Sequence, residues 1–229
     1  QGAAVTSTGM NKPSAVVTSQ DGALWVADTG NNRVLRFASA AALSSGAAAT
    51  RVLGQSNFTS NSSGSGTTGM NQPTGVATDT NLTLWVSDSF NNRILGFANS
   101  DTLSNGAAAT RVLGQPDFHS TAEFPYGPQR PDRLRFPYAI STGPDGDGLR
   151  LAVADTANNR ILLWHDLRPG TAGPADAVLG QPTFAEGGEN RWAAVAPDTL
   201  CWPYGICLHG DLLAVADSGN NRVMIWRRG

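Results

Sequence analysis

Short apolar runs alternate with polar positions along the chain, each broken after a few residues by Gly, Asn, Asp or Pro, and no segment sustains apolar residues at helical spacing. This pattern predicts strands. In the first unit they are strand a over Ser14–Thr18, strand b over Leu24–Asp28, strand c over Arg33–Phe37 and strand d over Thr50–Leu53. An Asp21-Gly22 turn separates a from b, and a tight Thr-Gly-Asn-Asn turn separates b from c. The c-to-d link, Ala38–Ala49, and its counterpart Ala98–Ala109 are Ala-rich around Leu43 and Leu103, leaving room for one helical turn.

The pattern returns four times. Met10-Asn-Lys-Pro13, Met70-Asn-Gln-Pro73, Leu134-Arg-Phe-Pro137 and Leu200-Cys-Trp-Pro203 open units at intervals of 60, 64 and 66 residues. Each unit contains Asp-x-x-Asn-Asn-Arg, at Asp28–Arg33, Asp88–Arg93, Asp155–Arg160 and Asp217–Arg222. The first three end in Val-Leu-Gly-Gln, at Val52–Gln55, Val112–Gln115 and Val178–Gln181; the fourth does not. Four antiparallel strands at a fixed period describe propeller blades. The expected fold is therefore all-β, a β-propeller forming one domain over residues 1–229, with four-stranded blades at 10–69, 70–133, 134–199 and 200–229. Residues 1–9 are candidates to complete the last blade. Pairing of Ala3–Ser7 beside Arg222–Trp226 would give a closed four-bladed ring, which we expect in preference to a fragment of a larger propeller with an exposed edge.

Side-chain volumes suggest which positions touch. Strand b carries Trp25 and Trp85 in the first two units but Ala152 and Ala214 in the last two, while strand c carries Phe37 and Phe97, then Trp164 and Trp226. A densely packed core tolerates exchange when total volume is kept, so each b–c pair is expected to share one sheet face.

The spaced pattern Pro-x-Gly-Val-Ala, then Leu-Trp-Val-x-Asp-x-x-Asn-Asn-Arg-Val/Ile-Leu-x-Phe, resembles the NHL repeat. The opening Pro, the Asp and the Asn-Asn-Arg recur in all four units, over nearly the whole chain. The resemblance implies blades of a propeller, commonly six-bladed, with binding roles inside and outside cells and, in some relatives, lyase or lactonase chemistry. Units here are longer than the roughly 40–45 residues of a common propeller repeat, and four are present.

Repetition also bears on the motif's charges. Four Asp around a ring suggest a cation, but an Asp that closes strand b can accept turn N–H groups and pair with the Arg five places on. Because every unit repeats Asp28 with Arg33, Asp88 with Arg93, Asp155 with Arg160 and Asp217 with Arg222, these residues read as structural. His119, His165 and His209 occupy different repeat positions, so no metal site is expected. The innermost strands offer hydroxyls and no charge, with Asp79 the nearest carboxylate, which gives no paired acid–base arrangement. Neither catalytic residues nor a cofactor are expected. Cys201 and Cys207 would lie about 20 Å apart along a strand, hence free thiols, with Cys207 at a small-residue core position. Asn57, Asn61 and Asn81 begin glycosylation-type triplets, which matter only in a eukaryotic secretory setting.

Sixteen basic residues against eighteen acidic ones, without a block of like charge, argue against nucleic acid as a partner. No apolar run approaches the roughly 20 residues that span a bilayer, so membrane insertion is not expected. Gln1-Gly-Ala-Ala carries neither Met nor a signal-like stretch, and a processed or excised chain is the expectation. What differs among units is the d-to-a loop. The loop 116–133 contains Phe124, Tyr126, Arg130 and Arg133, and the loop 182–199 contains Arg191 and Trp192. These six are the candidate partner-binding residues, since loops on a rigid scaffold concentrate aromatic and Arg anchors. The resulting expectation is a non-catalytic, extracytoplasmic binding or structural scaffold for a protein or glycan. Two alternatives stay open: a channel-centred lyase or lactonase using a divalent cation, and a self-assembling structural unit.

Overall fold

Each repeat folds into one antiparallel sheet whose strands follow chain order, because every connection is a hairpin or a short loop. The computed structural model describes residues 4–124, 127–145, 148–165, 167 and 173–227. Blade 1 comprises β1 (Pro13–Thr18), β2 (Leu24–Asp28), β3 (Arg33–Phe37) and β4 (Arg51–Leu53). Blade 2 comprises β5 (Pro73–Thr78), β6 (Leu84–Asp88), β7 (Arg93–Phe97) and β8 (Arg111–Leu113). Blade 3 comprises β9 (Pro137–Asp145), β10 (Gly148–Asp155), β11 (Arg160–Trp164) and β12 (Ala177–Leu179). Blade 4 has, among the described residues, three strands, β13 (Pro203–His209), β14 (Leu212–Asp217) and β15 (Arg222–Arg227). The inner strands β1, β5, β9 and β13 lie side by side in that order, making an all-β, four-bladed propeller. The Ala-rich c-to-d links form turns and bends without a helical turn. No helix among the described residues is long and apolar enough to cross a membrane.

Between strands b and c the chain makes a one-turn 3-10 helix, and the next residue, Asn32, Asn92, Asn159 or Asn221, sits in the left-handed region at φ 54°, 54°, 51° and 54°. Asn tolerates this conformation better than most side chains. The pleat then gives each sheet two faces. The far face of blade 1, with Trp25, Ala27, Val34 and Leu53, packs on Val76, Val86, Leu95 and Phe97 of blade 2. Blade 2 presents Trp85, Ile94 and Leu113 to Leu151, Val153, Leu162 and Trp164 of blade 3. Blade 3 presents Ala152, Ala154 and Ile161 to Leu208, Leu213, Val215 and Trp226 of blade 4. The Val-Leu-Gly-Gln glycine locks these contacts. At Gly114 (φ +84°) an added Cβ would lie 2.5 Å from Leu134, and at Gly180 (φ +88°) 2.6 Å from Leu200, each the opening residue of the next unit.

Two expectations are corrected by this register. Trp25 pairs with Arg36, and Phe37 with Leu24, so Trp25 and Phe37 point to opposite faces and enter different cores. Ala152 and Trp164 are separated in the same way. Directly across the pair a large residue meets a small one in two blades, Trp85 opposite Gly96 and Leu163 opposite Ala152, whereas Trp25 opposes Arg36, whose guanidinium lies 5.9 Å from the indole centroid. A Cβ on Gly96 would come within 2.9 Å of the Trp85 ring.

The second correction concerns closure. Residues 4–9 do not pair beside β15; they belong to blade 1, while Ala3 lies outside the described residues. The Ser7 carbonyl accepts the Ala49 N–H at 2.8 Å, as Thr67 accepts that of Ala109 and Pro131 that of Ala175 in the next two blades. Repeat geometry thus makes this segment the end of a d-to-a loop rather than an outer strand. Among the described residues no further sheet packs on the far face of blade 4, where Val223 and Ile225 are exposed. Cys207, expected in a core position, is exposed there, whereas Cys201 is buried, and both thiols are free.

Candidate functional site

The loop face is held by an ion pair in each blade, fully buried in the first three and with a partly exposed Arg222 in the fourth. Asp28 accepts Arg33 Nε at 2.7 Å, Asn31 Nδ2 at 2.9 Å and the Asn11 N–H at 2.7 Å. Arg33 in turn donates Nη1 to the Phe58 carbonyl at 2.6 Å and Nη2 to that of Gly9 at 2.7 Å. One carboxylate and one guanidinium therefore join the b-to-c turn, the opening corner and the following d-to-a loop. The arrangement recurs with Asp88–Arg93, Asp155–Arg160 and Asp217–Arg222, each at 2.7 Å. Burial pushes the Asp88 carboxyl up, against the pull of Arg93 and of the Asn71 N–H. Gln55, Gln115 and Gln181 pin the root of each loop by donating Nε2 to two carbonyls apiece.

The residue before each opening Pro is left-handed in every blade: Lys12, Gln72, Phe136 and Trp202 at φ 50°, 48°, 49° and 47°. Because all four share it, the conformation belongs to the corner and only the side chain varies. In blades 3 and 4 it is aromatic, and with Phe90, Tyr138 and Tyr204 it forms an arc along the rim. Phe90 and Phe136 meet edge-on at 5.2 Å between centroids, Phe136 and Tyr138 lie 6.1 Å apart, Tyr138 and Tyr204 4.8 Å, and Tyr204 and Trp202 6.4 Å. Such spacings fall within the attractive range for aromatic pairs.

Two cavities adjoin the arc. One of about 510 Å³ lies between the loops 116–133 and 182–199, walled by Gln129, Arg135, Glu186, Glu189, Trp192 and Trp202. The other, about 410 Å³, is walled by Phe90, Glu123, Arg135, Phe136, Trp202 and Tyr204. Arg135, Trp202 and Ala157 belong to both, so the two form neighbouring parts of one groove. Of its charged groups, Arg135 pairs with Glu123 at 2.7 Å, while Glu189 Oε1 accepts the neutral indole N–H of Trp202 at 2.8 Å. The Gln129 N–H donates to the Ala185 carbonyl at 2.9 Å and ties the two loops together. Burial, with Glu189 and Asp217 nearby, pushes the Cys201 thiol up and away from reactivity.

The six residues expected to bind a partner are distributed unevenly. Trp192 lies on the groove, 86% exposed, at the end of three consecutive left-handed residues, Asn190, Arg191 and Trp192. Phe124 sits outside the groove, with the Arg133 guanidinium 5.3 Å from its ring centroid. Tyr126 lies outside the described residues. Arg130 is bound to Asp132 through two hydrogen bonds of 2.8 and 2.9 Å, Arg133 also reaches Asp132, and Arg191 is bound to Asp198 at 2.7 Å. The Arg130 hydrogen bond holds the Asp132 carboxyl below the usual range. These arginines shape their own loops. Phe90, Arg135, Phe136 and Trp202 were not among the expected residues; the signal was the change from Lys12 and Gln72 to aromatics at one repeat position.

At the opposite end of the inner strands, the Asp79 carboxylate accepts the Asn81 and Thr83 N–H groups and Trp85 Nε1, at 2.8, 2.9 and 2.8 Å. It caps a turn and anchors an indole. Among the described residues no group of three His, Cys, Asp or Glu is placed to hold a metal ion.

The NHL repeat family matches residues 10–37 and 70–97. No curated protein matches the sequence. Among solved structures, a streptogramin B lyase is similar at 15% identity and TM-score 0.51, over 94% of this chain and 54% of that one. A nidogen/laminin complex is similar at 17% identity and TM-score 0.58, over 95% and 60%. An auxiliary nutrient binding protein from Bacteroides thetaiotaomicron is similar at 13% and TM-score 0.58, over 90% and 45%. The likeness is one of fold, and the chain spans about half the length of these structures. With the motif present in four blades and the repeat model matched in two, the chain is a β-propeller that carries NHL repeats.

Proposed function

We propose that the chain is a non-catalytic binding scaffold whose contact surface is the loop-face groove across blades 2–4, suited to a protein or glycan that offers an apolar face. The observation that carries this reading is the continuous aromatic rim from Phe90 to Trp202 beside the exposed Trp192. The cavities are of ligand-site size, and aromatic anchors in a rigid frame lose little conformational entropy on binding. The groove's cation, Arg135, is already paired with Glu123, which leaves the aromatic surface to carry the contact.

Peptide and glycan arrays would identify a partner. Trp192→Ala and Trp202→Ala are then expected to weaken its binding by about 2 kcal/mol or more each. Trp192→Ala should leave unfolding within about 0.5 kcal/mol, because the side chain is exposed. Phe124→Ala, outside the groove, should have the smaller effect on binding. Binding that survives both Trp substitutions would remove the groove from consideration.

A further inference from the structure

The chain itself sets arginine against aromatic rings. The guanidinium carbon of Arg36 lies 5.9 Å from the Trp25 centroid, that of Arg111 5.7 Å from Trp85 and that of Arg133 5.3 Å from Phe124. A cation at such distances is attracted by the negative face of the ring. The rings along the loop-face groove, Phe90, Phe136, Tyr138, Trp202, Tyr204 and Trp192, carry no such cation among the described residues.

Carboxylates stand beside these rings. Glu123, Glu186 and Glu189 wall the groove against a single guanidinium, Arg135. Arg135 answers Glu123 and donates Nη1 to the Ala157 carbonyl at 3.2 Å, so its charge is spent on the wall. Glu186 and Glu189 are exposed, and among the described residues neither has an ion-pair partner. Glu186 accepts the N–H and the hydroxyl of Thr183, while Glu189 Oε1 accepts the Trp202 indole N–H at 2.8 Å. A carboxylate on the N–H polarises the indole and enriches its faces in electron density, which makes Trp202 a strong seat for positive charge.

We infer that the groove takes a basic segment of a partner protein, with an arginine side chain lying on Trp202 and its guanidinium drawn to Glu189, Glu186 facing the same cavity. The inference rests on the groove being the contact surface and names what that surface recognises. Charge complementarity selects the occupant: two carboxylates lack a counter-charge, and the ring faces attract cations. A neutral glycan could stack on the same rings but would leave both carboxylates unmatched. Arginine suits the site better than lysine, because a planar guanidinium stacks on a ring while its fork engages a carboxylate. A polypeptide suits its extent, since the two cavities of about 510 and 410 Å³ adjoin at Arg135 and Trp202 and offer more room than one free amine fills.

Calorimetric titration with short Gly-Ser peptides tests this, one carrying a central arginine pair and one carrying citrulline, the neutral isostere, in its place. The arginine peptide should bind at least ~10-fold more tightly than the citrulline peptide. Its affinity should fall as salt rises from about 50 to about 500 mM. Glu186→Gln combined with Glu189→Gln should shrink the arginine-over-citrulline ratio; both positions are exposed and glutamine keeps an acceptor for Thr183 and Trp202, so the fold is retained. N-acetylarginine amide should bind at least ~10-fold more weakly than the peptide. Equal binding of the arginine and citrulline peptides, with both lost in Trp202→Ala, overturns the inference and leaves the groove standing. So does a neutral oligosaccharide such as cellohexaose that binds through Trp202 where the arginine peptide does not. Arginine-peptide binding that is indifferent to Trp192→Ala and Trp202→Ala overturns the groove itself as the contact surface. An arginine peptide that fails to bind at about 1 mM overturns the inference as well.

Discussion

Replacing Trp85 with Ala is expected to lower the free energy of unfolding by about 3–5 kcal/mol. The indole is fully buried between blades 2 and 3, and its Nε1 is the partner of the equally buried Asp79 carboxylate. Trp25 supplies a comparison, since its Nε1 has no hydrogen-bond partner and its loss removes packing and the Arg36 guanidinium contact at 5.9 Å but no hydrogen bond. Because Trp85 faces Gly96 across the ladder, Gly96→Leu by itself should be destabilising through overpacking. Combined with Trp85→Ala, the same Leu should recover part of the loss, reproducing the Ala152–Leu163 pair of blade 3. Urea unfolding of the four proteins in this cycle measures the coupling. Strict additivity would show that the two positions do not share a volume.

An effect of similar size is expected from Asp155→Ala, about 3–5 kcal/mol, since it strands a buried guanidinium. Asp155 and Arg160 are both 0% exposed, and the carboxylate also accepts the Asn158 amide and the Arg135 N–H. Without it Arg160 keeps three carbonyl acceptors but no counter-charge. The equivalent substitution in blade 4, Asp217→Ala, should cost less, because Arg222 is 25% exposed and water can solvate the freed charge. The ordering of the two midpoints is the check. A larger loss at Asp217 would mean that the pair acts through the turn rather than through charge burial.

The strands and the ion pairs were legible in the sequence because both are set by local spacing. Asp and Arg five apart across a four-residue turn must face each other, and the register confirms Asp28 opposite Arg33 in β2 and β3. From that pair, three steps back reaches Trp25 and three forward reaches Arg36. Phe37 is a fourth step, and one step in a pleated strand changes the face. Volume comparison without the pleat therefore joined residues from separate cores. Residues 4–9 were misplaced for a related reason: strand propensity suited Ala3–Ser7, but the repeat position just before Met10 is that of the loop residues before Met70. Within the candidate site, Trp192 was readable as an aromatic in a variable loop. The rim was not, because Phe136, Tyr138, Trp202 and Tyr204 come together only when blades 3 and 4 stand side by side.

The left-handed Asn has a consequence for how the molecule comes apart. Its Oδ1 reaches only the adjacent blade, and so do the turn hydroxyl and the far-face side chains, so stability passes between nearest neighbours. Amide protons in β6 and β10, whose sheets are sandwiched on both faces, should exchange with solvent only through extensive unfolding. Those of β15, whose sheet among the described residues has three strands and is covered on one face, should exchange through local opening.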